Sequence, residues 1–398
     1  MKQIVLESTM IAGQVVAKGA SMLSDCVTSL AFDPYEELLW SGSRSGCVVS
    51  YYGAQSNVYT AFVSHPSAIQ DVLCTDNAVL TLSEKRLRGH RRQGLPLFTH
   101  ESENMVDMKC MHRLPDAPHT VVMGGNQQEI VQFDFEKEKE IRIAHLKQSD
   151  CLQLRSNSEF LFSSDSDGNI TLRDLCTIEP IRTIHAHQGV VSDFDVCGNQ
   201  LITCGYSSRH RNLLADRVLM VYDLRNFRSF SPVTLPVSSP LQFCRFLPAY
   251  SDKRVVAVTQ GGQVIVVDPN EATGIPEQLD TDNVALFDIS SSGQCIAYGN
   301  QTGPLRLCSD RKNPVVNENS KETDFSEPLS RLYYITTADI GDNDSEKPYV
   351  AFSAPFRIDS VSLLEWPGET CEQAHALSPG AGTSFSQFNV KPYSEKSS

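Results

Sequence analysis

A unit of about 41 residues recurs along the first three quarters of the chain, and a period of that length constrains the fold before any single residue does. Its clearest mark is a short apolar run ending in small residues. The run occurs as Leu38-Leu39-Trp40-Ser41-Gly42, Val79-Leu80-Thr81-Leu82-Ser83, Val121-Val122-Met123-Gly124, Phe160-Leu161-Phe162-Ser163-Ser164-Asp165, Leu201-Ile202-Thr203-Cys204-Gly205, Val256-Ala257-Val258-Thr259-Gln260 and Cys295-Ile296-Ala297-Tyr298-Gly299. Between residues 42, 83, 124, 165, 205, 260 and 299 the steps are 41, 41, 41, 40, 55 and 39.

Hairpin chemistry follows these runs. Ser45-Gly46, Asp167-Gly168, Gly261-Gly262 and Thr302-Gly303 each supply a residue that tolerates positive φ, as two-residue hairpin turns require. A third strand then ends in aspartate, at Phe133-Asp134, Arg173-Asp174, Tyr222-Asp223 and Val267-Asp268. That is the place of the Trp-Asp dipeptide in the repeat named after it. His187, just before Gly189-Val190-Val191-Ser192-Asp193-Phe194, matches the Gly-His turn and aspartate of the same repeat. Four strands per unit without a helical period predict an all-β, seven-bladed WD40-type propeller over residues 1–310. The seventh unit lacks a fourth strand, which Gln3–Val16 can supply to close the ring. The step of 55 predicts a loop insertion at Tyr206–Arg217 on one rim of blade five.

From residue 311 the character changes. Residues 311–398 hold 8 basic and 13 acidic side chains, a net of −5 out of −14 for the whole chain. Turn-rich acidic stretches alternate with three apolar islands, Leu332-Tyr333-Tyr334-Ile335, Tyr349-Val350-Ala351-Phe352 and Val361-Ser362-Leu363-Leu364-Glu365-Trp366-Pro367. The expectation is a partly disordered linker carrying docking segments.

The acidic balance argues against binding nucleic acid by phosphate neutralisation, which needs a positive excess. No run approaches the roughly 18 apolar residues of a membrane helix. An acid at Glu7 comes too early for a signal peptide. Twelve cysteines contain no CxxC pair, and most sit in apolar runs, so they read as reduced packing residues rather than disulfides or zinc ligands.

Catalytic patterns are missing too: no GxSxG elbow, Walker loop, HExxH or EF-hand loop. His185-Ala186-His187 has no further ligand at metal spacing, and Asp165-Ser166-Asp167-Gly168 lacks the downstream glutamate of a calcium loop. Asp193 and Asp195 offer two carboxylates, of which Asp193 reads as the cap of a repeat turn. One basic cluster, Lys85-Arg86-Leu87-Arg88-Gly89-His90-Arg91-Arg92, falls near a hairpin of blade two, and Arg209-His210-Arg211 falls in the inserted loop. Both read first as a solvated rim. The alternative is an anion or RNA patch formed by Arg86, Arg88, Arg91, Arg92, Arg209 and Arg211, though no aromatics interleave for base stacking.

Several stretches go beyond a generic propeller. Ser29-Leu30-Ala31-Phe32-Asp33-Pro34-Tyr35-Glu36-Glu37-Leu38-Leu39-Trp40-Ser41-Gly42 resembles the first blade of the catalytic subunit of the poly(A)-nuclease (PAN) deadenylation complex. Ile170-Thr171-Leu172-Arg173-Asp174-Leu175, Thr203-Cys204-Gly205-Tyr206-Ser207-Ser208-Arg209, Val221-Tyr222-Asp223-Leu224-Arg225 and Arg245-Phe246-Leu247-Pro248 are similar to later parts of that propeller. Lys321-Glu322-Thr323-Asp324-Phe325 and Leu363-Leu364-Glu365-Trp366-Pro367 are similar to the linker after it. The resemblance implies a non-catalytic scaffold for cytoplasmic poly(A)-tail shortening, in P-bodies as well. It implies a pseudokinase partner subunit bound by the linker, and indirect contact with poly(A)-binding protein on poly(A) RNA. No catalytic residue carries over and no cofactor is expected in this chain. The family's divalent metal, expected to be magnesium, belongs to a nuclease domain that these residues do not match. In the tail, Leu363, Leu364, Trp366 and Pro367 are the candidate partner-binding residues, since buried tryptophan dominates many interfaces; the other reading folds Leu363, Leu364 and Trp366 back onto the propeller rim. A different propeller adaptor, such as a ubiquitin-ligase substrate receptor or a transport-coat subunit, stays open.

Overall fold

The computed structural model describes residues 7–10, 26–53, 57–146, 150–209, 212–247, 254–269, 274–279, 283–300, 305–309 and 315–317. They form seven antiparallel sheets, each strand numbered here from the axis outward. Blade one is Val27–Phe32, Leu38–Ser43, Cys47–Tyr52 and Asn57–Val63. Blade two is Ile69–Cys74, Val79–Ser83, Arg86–His90 and Pro96–Glu101. Blade three is Met108–Arg113, Thr120–Gly125, Glu129–Asp134 and Lys139–His145. Blade four is Gln153–Ser156, Phe160–Ser164, Asn169–Asp174 and Pro180–His185. Blade five is built on Val191–Cys197, Gln200–Arg209 and Val218–Asp223, and blade six on Leu241–Phe246, Val255–Thr259 and Gln263–Val267. Their outer strands shrink to Arg228–Ser229 and Glu277–Gln278. In blade seven, Leu286–Ile289, Cys295–Gly299 and Leu305–Ser309 come from the end of the ring, and Glu7–Met10 pairs on the outside with Leu305–Ser309.

Hydrophobic cores lie between blades. Trp40, Val48 and Phe62 of blade one pack with Ile69, Val72 and Val79 of blade two, all buried. The Trp40 ring meets Phe62 edge-on at 6.4 Å, and its Nε1 donates to Asp33 Oδ2 at 3.1 Å. A wholly buried indole with its one donor satisfied is a strong anchor for a seam.

Contacts from the innermost strands or the loop before them join all seven seams. Thr28 Oγ1 donates to the Ile69 carbonyl at 2.5 Å, and Asp71 accepts the Met111 amide at 2.8 Å. His112 meets Ser156 at 2.8 Å, and Gln153 donates to the Ser192 carbonyl at 2.8 Å. Asp193 and Asp195 accept the Cys244 and Phe246 amides at 3.0 and 2.8 Å. Phe243 stacks on Phe287 at 5.5 Å, and Asp288 accepts the Phe32 amide at 2.7 Å to close the ring. Asp193 therefore is not a turn cap, as expected, but a seam bridge that also pairs with Arg245. Burial raises the pKa of Asp195 and Asp288, and takes that of Asp71 to about 6.

The insertion in blade five is ordered β structure rather than a loop. The second strand runs on to Arg209 and returns as Asn212–Ala215, pairing Tyr206 with Ala215 and Arg209 with Asn212. Gly46 and Gly168 both take φ of +85°, and a Cβ on either would lie about 2 Å from the carbonyl of His65 or His187 (1.8 and 2.1 Å). Those two histidines occupy one repeat position: His65 meets Thr81 at 3.0 Å and His187 meets Thr203 at 2.8 Å. The eleven described cysteines are free thiols, seven of them buried. The Thr302-Gly303 turn and all of the linker except residues 315–317 lie outside the described residues.

Candidate interaction face

One end of the ring carries the turns that join first to second and third to fourth strands. There Asp33, one residue after the inner strand of blade one, is fully buried. It accepts Arg92 Nε at 2.7 Å and Arg92 Nη2 at 2.8 Å from the neighbouring blade. Arg92 also donates to the carbonyls of Thr75 and Asp76 at 2.7 and 2.9 Å. Burial disfavours the Arg92 cation, but Asp33 outweighs it and raises the pKa.

Above this pair sits Tyr35, half-buried. The guanidiniums of Arg92 and Arg113 lie 5.8 and 5.7 Å from its ring centre, a cation–π arrangement shared by two arginines. Arg113 pairs with Asp76 at 3.0 Å and donates to the Tyr35 hydroxyl. Asp76 is held below the ordinary carboxylate range by its hydrogen bond to Tyr35, then by Arg113. Two arginines and two aspartates balance, so the node has no surplus charge for a phosphate.

The chain leaves the ring beside this node. Glu37 accepts the amides of Val316 and Asn317, both at 3.2 Å. The Asn317 side chain, 1% exposed, donates to the Glu36 carbonyl and accepts from Ser291 Oγ at 2.9 Å. A three-residue strap is thus clasped across the seam between blades seven and one.

The basic cluster of blade two does not form one surface. Arg88 is buried, donating to the Ser64 carbonyl. Arg92 is spent on Asp33, and Arg86 pairs with Glu101 at 2.6 Å. Exposed Lys85 and Arg91 stand at opposite ends of the five-residue strand Arg86–His90. Arg209 ends the extended strand of blade five, but its side chain and Arg211 fall outside the described residues, as do Leu363, Leu364, Trp366 and Pro367. His100, Ser102 and Asn104 converge on Glu140, with His100 and Asn104 each at 2.9 Å. This is no catalytic triad: the carboxylate is the hub, and Ser102 hydrogen-bonds it rather than the imidazole. Among the described residues no group of three His, Cys, Asp or Glu side chains could hold a metal, and no helix is long and apolar enough to cross a membrane.

Comparison with known proteins decides the family. The model described as PAN2 N-terminal matches residues 14–309. The chain belongs to the PAN2 N-terminal family. It is 37% identical over 321 residues to the Caenorhabditis elegans PolyA-specific ribonuclease subunit panl-2, covering 76% of this chain and 28% of that protein. To the human PAN2-PAN3 deadenylation complex catalytic subunit PAN2 it is 33% identical over 356 residues, covering 87% and 29%. The chain thus spans less than a third of these PAN2 relatives. In fold it resembles the WD40 domain of Neurospora crassa Pan2, with a TM-score of 0.70 at 22% identity over 78% of this chain and 98% of that one.

Proposed function

We propose that this chain is a non-catalytic interaction arm of a poly(A)-specific deadenylase subunit, acting in cytoplasmic mRNA tail shortening and P-bodies. The ring positions the enzyme on poly(A) coated with poly(A)-binding protein. The tail, through Leu363, Leu364, Trp366 and Pro367, binds the pseudokinase partner subunit. No cofactor works in this chain; the family's divalent metal serves a nuclease domain beyond the matched region. The observation that supports this reading is the Asn317 clasp. It releases the tail beside the Tyr35–Arg113 node, so a partner on that face and a partner on the tail are held next to each other.

The test has two arms. Labelled poly(A) incubated with the purified chain and magnesium stays intact. On poly(A) coated with poly(A)-binding protein the chain is retained, and Tyr35→Ala weakens retention at a temperature well below the variant's own melting transition. Shortening that a point mutation in this chain abolishes, or no retention at all, overturns the reading.

A further inference from the structure

The third-to-fourth turns of blades two to five share one construction. Each has a residue with positive φ: Gly94 (89°), Glu138 (51°), Ile178 (62°) and Phe227 (56°). In blades three to five an aspartate four residues earlier accepts the turn's amides: Asp134 from Lys137 at 3.0 Å, Asp174 from Thr177 at 2.7 Å and Asp223 from Arg225 at 3.0 Å. Three residues after the positive-φ position stand Leu97, Ile141 and Ile181 in the outer strands, and Phe230 directly after Arg228–Ser229. The first three are the unpaired residues of β-bulges, skipped between Gly89 and His90, Gln132 and Phe133, and Leu172 and Arg173.

All four are exposed, at 44%, 50%, 54% and 45%. Single exposed apolar side chains are ordinary. Here four of the ten large apolar residues left exposed among the described residues occupy one position in four consecutive blades. In blade one the bulge residue is Tyr59, which turns into the core at 6% exposure and packs edge-on to Tyr52. The wall thus carries one apolar knob per blade, starting just past the blade where the chain departs.

We infer that the outer wall of blades two to five is a docking track for residues 329–352 of this chain. Knobs spaced one per blade round a convex wall suit an extended segment that bends with the ring. A second ring, itself convex, would reach only one or two of them. The chain leaves at Asn317, on the same end of the ring as the bulges. The 14 residues before Leu332 span up to about 50 Å when extended. A body of this size has a radius of gyration of about 19 Å, so the segment can pass blade one and reach Leu97. Two apolar islands follow, Leu332-Tyr333-Tyr334-Ile335 and Tyr349-Val350-Ala351-Phe352. The 13 residues between them allow the first to meet blades two and three and the second blades four and five. This inference stands on the ring's geometry and does not depend on the partner subunit.

The test places photo-reactive p-benzoylphenylalanine at Ile141 in the full chain. Irradiation is expected to give intramolecular cross-links into residues 329–352, read by mass spectrometry at monomer size. Independently, Tyr333→Asp with Tyr349→Asp is expected to speed hydrogen exchange at least threefold in the outer strands of blades two to four. Exchange in blade seven and the melting temperature stay unchanged. Cross-links between two molecules, cross-links formed only with an added partner subunit, or no cross-link together with unchanged exchange would each overturn the inference.

Discussion

Arg92 in blade two and Asp33 in blade one form a two-point ion pair across 59 residues of sequence, at 2.7 and 2.8 Å, with side-chain exposures of 10% and 0%. Removing the cation leaves the carboxylate buried beside Trp40 Nε1, the Tyr35 and Glu36 amides and the Cys74 thiol, none of them charged. Arg92→Ala is therefore expected to cost about 3–5 kcal/mol. Arg92→Lys, which cannot span both oxygens, should cost less but still lower stability. Urea unfolding of the two variants checks this; loss below 1 kcal/mol for the alanine variant would show that the pair does not hold the seam.

Glu138 and Ile178 share one turn position, so the same substitution should act in opposite directions. Both hold positive φ, which costs a side-chain-bearing residue on the order of 1–3 kcal/mol. Glu138 is exposed, and Glu138→Gly is expected to raise stability by about 0.5 kcal/mol once the extra chain entropy of glycine is counted. Ile178 is fully buried between blades three and four, and Ile178→Gly is expected to lower it by at least about 2 kcal/mol. Thermal melting of both reads the signs directly.

Acid should loosen the ring. Burial holds His65 and His90 neutral, with pKa values of about 3, and His187 at about 4. Each is depressed below the unfolded value near 6.5. Its contribution is complete above pH 6.5 and is lost as pH falls, by about 2 kcal/mol per histidine at pH 5. Asp71 works the other way. Its pKa is raised to about 6, so acidification from pH 7 to pH 5 returns about 1.4 kcal/mol. The histidines win, and the melting temperature is expected to fall between pH 7 and pH 5, less steeply in His187→Gln. A melting temperature that rises over that interval contradicts the assignment.

The ring was legible because an apolar run recurs in all seven blades, joined in four of them by a glycine turn and in four by an aspartate at the end of the third strand. What joins the blades was not. Thr28, Asp71, Gln153 and Asp288 reach partners set by ring closure, which no local pattern reveals. His65 was missed although it repeats the role of His187 and Asp71 follows it at the same spacing as Asp193 follows His187, because Pro66-Ser67-Ala68 stands where His187 is followed by Gln188-Gly189-Val190. Arg88 and Arg92 read as rim charges because a basic run looks solvated, yet alternation along a strand turned one inward and a neighbouring carboxylate captured the other. The knobs at Leu97, Ile141, Ile181 and Phe230 align only when the bulge register is known.

Calorimetric titration of the full chain with the pseudokinase subunit measures the proposed partner binding by the tail. Trp366 would bury more apolar area at an interface than any of its neighbours, and tryptophan truncations at such anchors commonly cost 2 kcal/mol or more. The chain is expected to bind, and Trp366→Ala to weaken binding at least about tenfold with the melting temperature unchanged within about 2 °C. Binding that is indifferent to Trp366→Ala while the melting temperature drops would place that residue in the fold, and no binding by this chain or a longer one would contradict the central claim.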